Sequence, residues 1–199
     1  MCQKESPVNT AETPREQTRA DTGPEARDRA EAALIAHLRL LAATIAGPDS
    51  APVTESWAHP SVYHLLLDAG RYFTPAPLPQ TVVRGPEREC FANAAALVRE
   101  HRMPSRLTYC EGYASTPIAG TDDFPTMHAW ASTTQGTVVD PTWPRPGTAY
   151  LGIPITNPTA WPPPRFGTGI LQDPANLLTI LRDGLATTSL PNRGRRTDS

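Results

Sequence analysis

Met127-His128-Ala129-Trp130-Ala131-Ser132-Thr133, then Thr134-Gln135-Gly136, then Thr137-Val138-Val139-Asp140-Pro141-Thr142-Trp143: two strand-like runs stand either side of three residues. A three-residue hairpin loop commonly closes on a glycine in the left-handed region, and Gly136 occupies that position. Such a loop pairs Thr133 with Thr137, so Trp130 faces Asp140 and His128 faces Thr142. Strand side chains alternate with a period of two, which puts His128, Trp130, Asp140 and Thr142 on one face. His128 and Asp140 become diagonal neighbours, roughly 7–8 Å apart, within reach of a carboxylate–imidazole hydrogen bond. A two-residue loop would send them to opposite faces.

A carboxylate on one imidazole nitrogen fixes the tautomer and leaves the other nitrogen to accept a proton. Trp130, opposite Asp140, is placed to keep water from that bond. The pair lacks only a nucleophile, and Cys90 is the candidate. It falls early in a helix expected over about Glu87 to Arg102, with Pro86 in its first turn and Pro104 beyond its end. Helix dipole and unpaired amides there favour a thiolate, and a nearby imidazolium favours it further. The helix-start amide can also hold an oxyanion. Each residue alone has a plainer reading: Cys90 as a small buried hydrophobe, His128 as a structural strand residue, Asp140 before Pro141 as a turn former.

Outward from this centre the chain reads as short elements divided by proline. Glu25 to Ala46 carries Ala33, Leu34, Leu38, Leu41 and Ile45 at helical spacing and stops at Gly47-Pro48. A second helix is expected over Ser61 to Ala69, with Ser61 as N-cap and Gly70 at the C-cap. Arg71 to Pro86 reads as a loop, and Leu107–Ala114 as a strand ahead of the hairpin. Pro144 to Gly169 reads as loops. A last helix starts at Asp173-Pro174 and is expected to bury Leu177, Leu178, Leu181 and Leu185. A helix-borne cysteine followed by antiparallel strands gives an α+β class. Residues 1–23 are expected to form a disordered tail, 24–190 a single domain, and 191–199 a basic tail.

The chain has 199 residues, 39% hydrophobic and 19% charged, with a formal charge of −2, which offers no electrostatic case for nucleic acid or an anionic membrane. Its 23 prolines and 13 glycines fit short elements and long ordered loops better than a helical bundle. Met1 to Thr22 has no apolar core of a secretion signal, and no run approaches the length of a membrane span, so a cytoplasmic location is expected. Three cysteines in a reducing compartment leave thiol chemistry open; Cys110 on its strand and Cys2 in the tail are given no catalytic part. Cys90, Cys110 and His128 lack the close ligand pairs of a metal site, and Gly167-Thr168-Gly169-Ile170 is not a phosphate loop, so no metal and no cofactor is expected. His37, His59, His64 and His101 read as surface or packing residues.

Glu89-Cys90-Phe91-Ala92-Asn93-Ala94, Tyr109-Cys110-Glu111-Gly112-Tyr113-Ala114, His128-Ala129-Trp130, Val139-Asp140-Pro141-Thr142-Trp143 and Tyr150-Leu151-Gly152-Ile153-Pro154 follow in order. This set resembles a group of small, largely uncharacterised bacterial and phage proteins. The His-Ala-Trp and Asp-Pro-Thr elements are similar to transglutaminase-like domains, whose triad runs Cys, His, Asp; arylamine N-acetyltransferases share that order. The resemblance covers about Glu87 to Pro154 and implies a papain/transglutaminase-like fold. It implies a Cys90–His128–Asp140 triad acting through a thioester, as an acyltransferase or as an amide hydrolase or deamidase. The implied partner is a small-molecule, peptide or protein acyl or amide substrate. Papain-like peptidases carry an oxyanion-hole glutamine shortly before the cysteine; Val83 to Arg88 has none, which speaks against a peptidase. Asn93, Trp130, Tyr109 and Tyr113 are secondary candidates for contacting substrate, with a structural role the favoured reading of Asn93 and a core role an equal one for Tyr109 and Tyr113. The rival reading is a non-catalytic module that binds a partner through Trp143, Trp161 and the Pro162-Pro163-Pro164 run.

Overall fold

The hairpin folds as its turn requires. In a computed structural model, which describes residues 23–45, 56–100, 107–116, 124–163 and 167–185, Gly136 has φ +81°, and Thr133 N donates to Thr137 O at 2.9 Å. Strand β3 (Phe124–Ser132) pairs with β4 (Val138–Val139) in the register Ala131 to Val139 and Ser132 to Val138, which brings Trp130 level with Asp140. The ladder then stops at two residues, because Pro141 has no N–H to donate and the Asp140 carboxylate turns back to take the amides of Thr142 and Trp143.

The other strands are β1 (Arg71–Phe73), β2 (Thr108–Thr116) and β5 (Ala149–Ile155), and the antiparallel sheet runs β1-β5-β2-β3-β4. Two of these correct the sequence reading. Arg71–Phe73, expected within a loop, is an edge strand, and Ala149–Ile155, expected within the Pro144–Gly169 loops, lies between β1 and β2. Pro154, which argues against a strand, lies past the end of β1, where β5 has no neighbour on that side.

The outer strands meet. Thr74, just after β1, forms a parallel bridge with Thr137: its N–H donates to Gly136 O and its carbonyl accepts from Val138 N, both at 2.9 Å. The sheet therefore curls until its ends touch, with Phe73, Cys110, Ala114, Trp130, Val138 and Tyr150 packed inside. Gly112 and Gly152 pair across β2 and β5; a Cβ on Gly152 would stand 2.5 Å from Glu111 O and 2.6 Å from the Trp130 ring.

Helices cover the outer face. Helix α1 (Pro24–Ile45) buries Ala30, Leu34, Leu38 and Ala42; of the expected stripe Leu34 and Leu38 are buried, Leu41 is half-buried, and Ala33 and Ile45 are exposed. Helix α2 (Val62–Ala69) has Ser61 as N-cap and Gly70 at its C-cap, as expected, and His64 Nδ1 lies 2.9 Å from Ser61 Oγ within that cap. Helix α3 (Cys90–Glu100) packs Ala94, Ala95 and Val98 against Tyr109, Ala129 and Ala131. Helix α4 (Pro174–Asp183), capped by Asp173, buries Leu181 and half-buries Leu177 and Ile180 with Leu185 beyond its end; Leu178 is exposed at 53%, one residue out of phase with that stripe. With α1 and α2 it packs on Leu151 and Ile153. The class is α+β. Among the described residues no helix is long and apolar enough to cross a membrane. The expected tails lie outside the described residues, Gly23 apart, as do Cys2 and His101.

Gly152→Ala should cost about 2–3 kcal/mol through overpacking against Trp130. Gly136→Ala, with open space around it, should cost only the left-handed backbone, about 1 kcal/mol. Urea unfolding of both variants measures the contrast; equal losses would contradict the packed interior.

Candidate active site

Cys90 comes to the hairpin from the edge where β4 ends. Helix α3 starts at Cys90 rather than at Glu87, because Arg88 takes φ +64° and breaks the helical path. Pro86 thus precedes the turn instead of lying in the helix. Glu89 O accepts Asn93 N at 2.8 Å, so Cys90 is the first helical residue, among amides that have no intrahelical acceptor. This places the thiol closer to the positive helix end than the sequence reading had it.

Asn93 holds that start against the hairpin. Its Nδ2 donates to Pro86 O at 2.7 Å and to Thr142 Oγ1 at 3.0 Å. Gly85 fits beneath it, since a Cβ there would meet Asn93 Oδ1 at 2.2 Å, and Gly85 N donates to Pro141 O at 2.9 Å. Asn93 is therefore spent on structure and does not line the cleft, which fits its structural reading and not the substrate contact set beside it.

His128 Nε2 donates to Asp140 Oδ2 at 2.8 Å, which leaves Nδ1 free of that bond, and Cys90 lines the same cavity as His128 and acts on its imidazole. All three side chains are buried, with Cys90 at 8% exposure. Asp140 Oδ2 also accepts from Tyr150 OH at 3.0 Å, and Oδ1 accepts from Thr142 N at 2.9 Å and Trp143 N at 3.3 Å. Asp140 is thus both the turn former and the partner of His128, the two roles that had stood as alternatives.

Burial pushes His128 down, but its bonds to Asp140 and Cys90, together with their charges, outweigh this and raise it to about 9. Burial pushes Asp140 up, while His128, the Thr142 amide and the Tyr150 hydroxyl hold it below the ordinary carboxylate range. Both directions favour an imidazolium beside a carboxylate.

Trp143, assigned only to a binding surface in the sequence reading, lies flat on His128, with ring centroids 3.9 Å apart and planes 13° apart. Trp130, expected to shield the pair and to contact substrate, lies stacked beside His128 with ring centroids 6.4 Å apart, but fills the sheet interior against Phe73 and Tyr150 at 0% exposure and does not line the cavity. Tyr150 also went unnoticed as a group acting on Asp140. Trp161 turns inward, its Nε1 donating to Ile155 O at 2.8 Å.

A cavity of about 790 Å³ opens over Cys90 and His128. Its walls are Glu87 to Ala92 at the start of α3, Thr126 and Met127 on β3, Thr142 to Pro144, and Gly167, Thr168 and Gln172. Alternation from the Thr133–Thr137 and Ala131–Val139 pairs points the Met127 N–H and C=O away from β2, along the edge that β4 leaves open. Tyr109 and Tyr113, also read as cleft residues, do not line it. Tyr109 is fully buried with its hydroxyl on Glu111, and Tyr113 packs against Tyr63 and His37. Cys110 is buried inside the sheet, where burial pushes its thiol up to about 12. Among the described residues no group of three or more His, Cys, Asp or Glu could hold a metal ion.

Compared with known proteins, the chain matches no family model, no curated protein and no solved structure.

Because His128 is raised from 6.5 to about 9 by folding, the stability it contributes is fully present below pH about 6.5 and lost as pH rises through about 9. The unfolding free energy of the wild type relative to His128→Gln should therefore fall across that window, by on the order of 3 kcal/mol. A pH-independent difference in urea unfolding would mean that the imidazole is not held charged.

Proposed function

We propose that this protein is a cysteine-dependent acyl-transfer enzyme of the papain/transglutaminase-like kind, with Cys90 as nucleophile, His128 as general base and acid, and Asp140 as the residue that orients His128. The observation that carries this reading is that Cys90 and His128 line one open cavity while His128 Nε2 bonds Asp140 Oδ2 at 2.8 Å, with all three side chains buried. A cysteine at the start of a helix, set against a curled antiparallel sheet that carries His and Asp, supports the fold part of the proposal.

Cys90 Sγ, its proton already held on the His128 imidazolium at Nδ1, attacks the carbonyl carbon of an ester, thioester or amide. The carbonyl electron pair moves onto oxygen, where the first amides of α3 are available to stabilise it. The oxygen pair then re-forms the carbonyl, the bond to the leaving group breaks, and His128 returns the proton to that group. A thioester remains on Cys90. Water or an amine attacks it and loses a proton to His128, and the thiolate leaves beside the imidazolium so formed. The Met127 N–H and C=O offer one donor and one acceptor to the amide groups of a substrate lying along the open edge of β3. Trp143, stacked on His128, keeps water from the imidazole–carboxylate pair, and its face suits an imidazolium.

The test is alkylation of Cys90 by iodoacetamide across pH, in a chain with Cys2→Ser; Cys110 is buried beyond the reagent's reach. His128→Gln should slow the pH 6 reaction by about 100-fold. Labelling that follows an ordinary thiol and ignores His128→Gln would leave the fold without this chemistry. Cys90→Ser should abolish turnover of any acyl substrate found by screening, with an unchanged unfolding curve.

A further inference from the structure

Glu111 is completely buried on the outer face of β2, opposite Ala129 and Ile153, and takes no part in the proton path of the triad. Every partner it has is a donor. Oε1 accepts from Tyr109 OH at 2.6 Å and from Ile170 N at 2.8 Å, and Oε2 accepts from Leu171 N at 2.8 Å. A buried carboxylate is expensive to desolvate, so an apolar residue would suit this site better if only packing mattered. The reason lies in the partner segment. Residues 169–172 cross the core between the clusters around α3 and around α1, and Ile170 and Leu171 bury their side chains there. Their amides face inward without a strand or helix to meet them, and an unmet buried N–H costs about 1–3 kcal/mol. One carboxylate satisfies both.

The same segment is a wall of the cavity: Gly167, Thr168 and Gln172 face the space above Cys90. Gly169 between them rests on Phe91, the residue next to Cys90; a Cβ there would stand 2.4 Å from the Phe91 ring and 2.7 Å from Glu111 Oε2. The wall is therefore located from two sides, by an aromatic ring beneath it and by a carboxylate behind it. We infer that Glu111 is a positioning residue that sets the width of the cavity over Cys90, and so the size of the acyl group admitted. The inference rests on Cys90 being the reactive group of that cavity, but not on how His128 activates it.

Two alkylating agents with the same reactive end test it on the full chain with Cys2→Ser: iodoacetamide, and an iodoacetamide bearing a naphthalene group. In the wild type the bulky reagent should label Cys90 markedly more slowly. In Glu111→Gln, where an amide replaces an acceptor facing three donors, the wall should loosen and the small-to-bulky rate ratio should drop at least fivefold. The iodoacetamide rate itself should stay within twofold. Glu111→Asp keeps the charge but draws back by one methylene, and should give an intermediate ratio; it stands in if the glutamine variant shows no cooperative unfolding. Parallel acceleration with both reagents would mean that Glu111 merely stabilises the fold, and an unchanged ratio would remove it from the cavity altogether. Repeating the pair in His128→Gln separates the two ideas: an unaffected iodoacetamide rate counts against the triad, while the ratio still reports the wall.

Discussion

The Asp140 carboxylate accepts four hydrogen bonds, two on each oxygen, and the architecture of the site follows from them. Those from the Thr142 and Trp143 amides bend the chain after β4. That bend ends the pairing with β3 after two residues and leaves an edge beside which the start of α3 fits. The bonds from His128 and Tyr150 hold the imidazole on the sheet and tie it to β5. The bend also brings Thr142 under Asn93 and lays Trp143 flat on His128. The placing of His128 and the termination of the strand are thus one local structure, so a change at Asp140 cannot alter one without the other.

The sequence was legible where local chemistry decides conformation. Gly136 fixed the loop, the period of two fixed the shared face of His128 and Asp140, and Ser61 and Asp173 marked their helix starts. It was illegible where long-range packing overrides local preference. Gly152 and Pro154 argue against a strand, yet β5 needs a glycine to clear the Trp130 ring and tolerates a proline beyond β1. Arg71–Phe73 is too short to show a period and becomes a strand only because β5 accepts it. Of the site, the three residues that meet could be picked out, but their supports could not. Trp143, Tyr150 and Glu111 reach their places through the curl of the sheet, and nothing in their sequence spacing signals it. Asn93, Trp130, Tyr109 and Tyr113 were plausible as cleft residues for the same reason: strand and helix periods give a face, not what lies across from it.

The two sides of the sheet divide the labour. Its curled inner face is filled by large rings around Trp130 and carries His128, while the outer face bears the helices and the Glu111 anchor. Cys90 belongs to the outer layer by its helix and to the inner face by its thiol contact, which is possible only at an incomplete edge. A longer β4 would add ladder hydrogen bonds along that edge and deny the helix start its place there.

The bridge between Thr74 and Thr137 gives the site a place in time as well as in space. On the ribosome a chain emerges from its N-terminus at about 5–20 residues per second. Strand β1 must wait for β5, its partner nearly eighty positions later, before it has anything to pair with. Cys90 leaves the tunnel before His128, and Tyr150 and the Ile170–Leu171 amides follow later still. The nascent Cys90 therefore spends seconds without His128 beside it, and the complete arrangement comes into being only when almost the whole domain has been made.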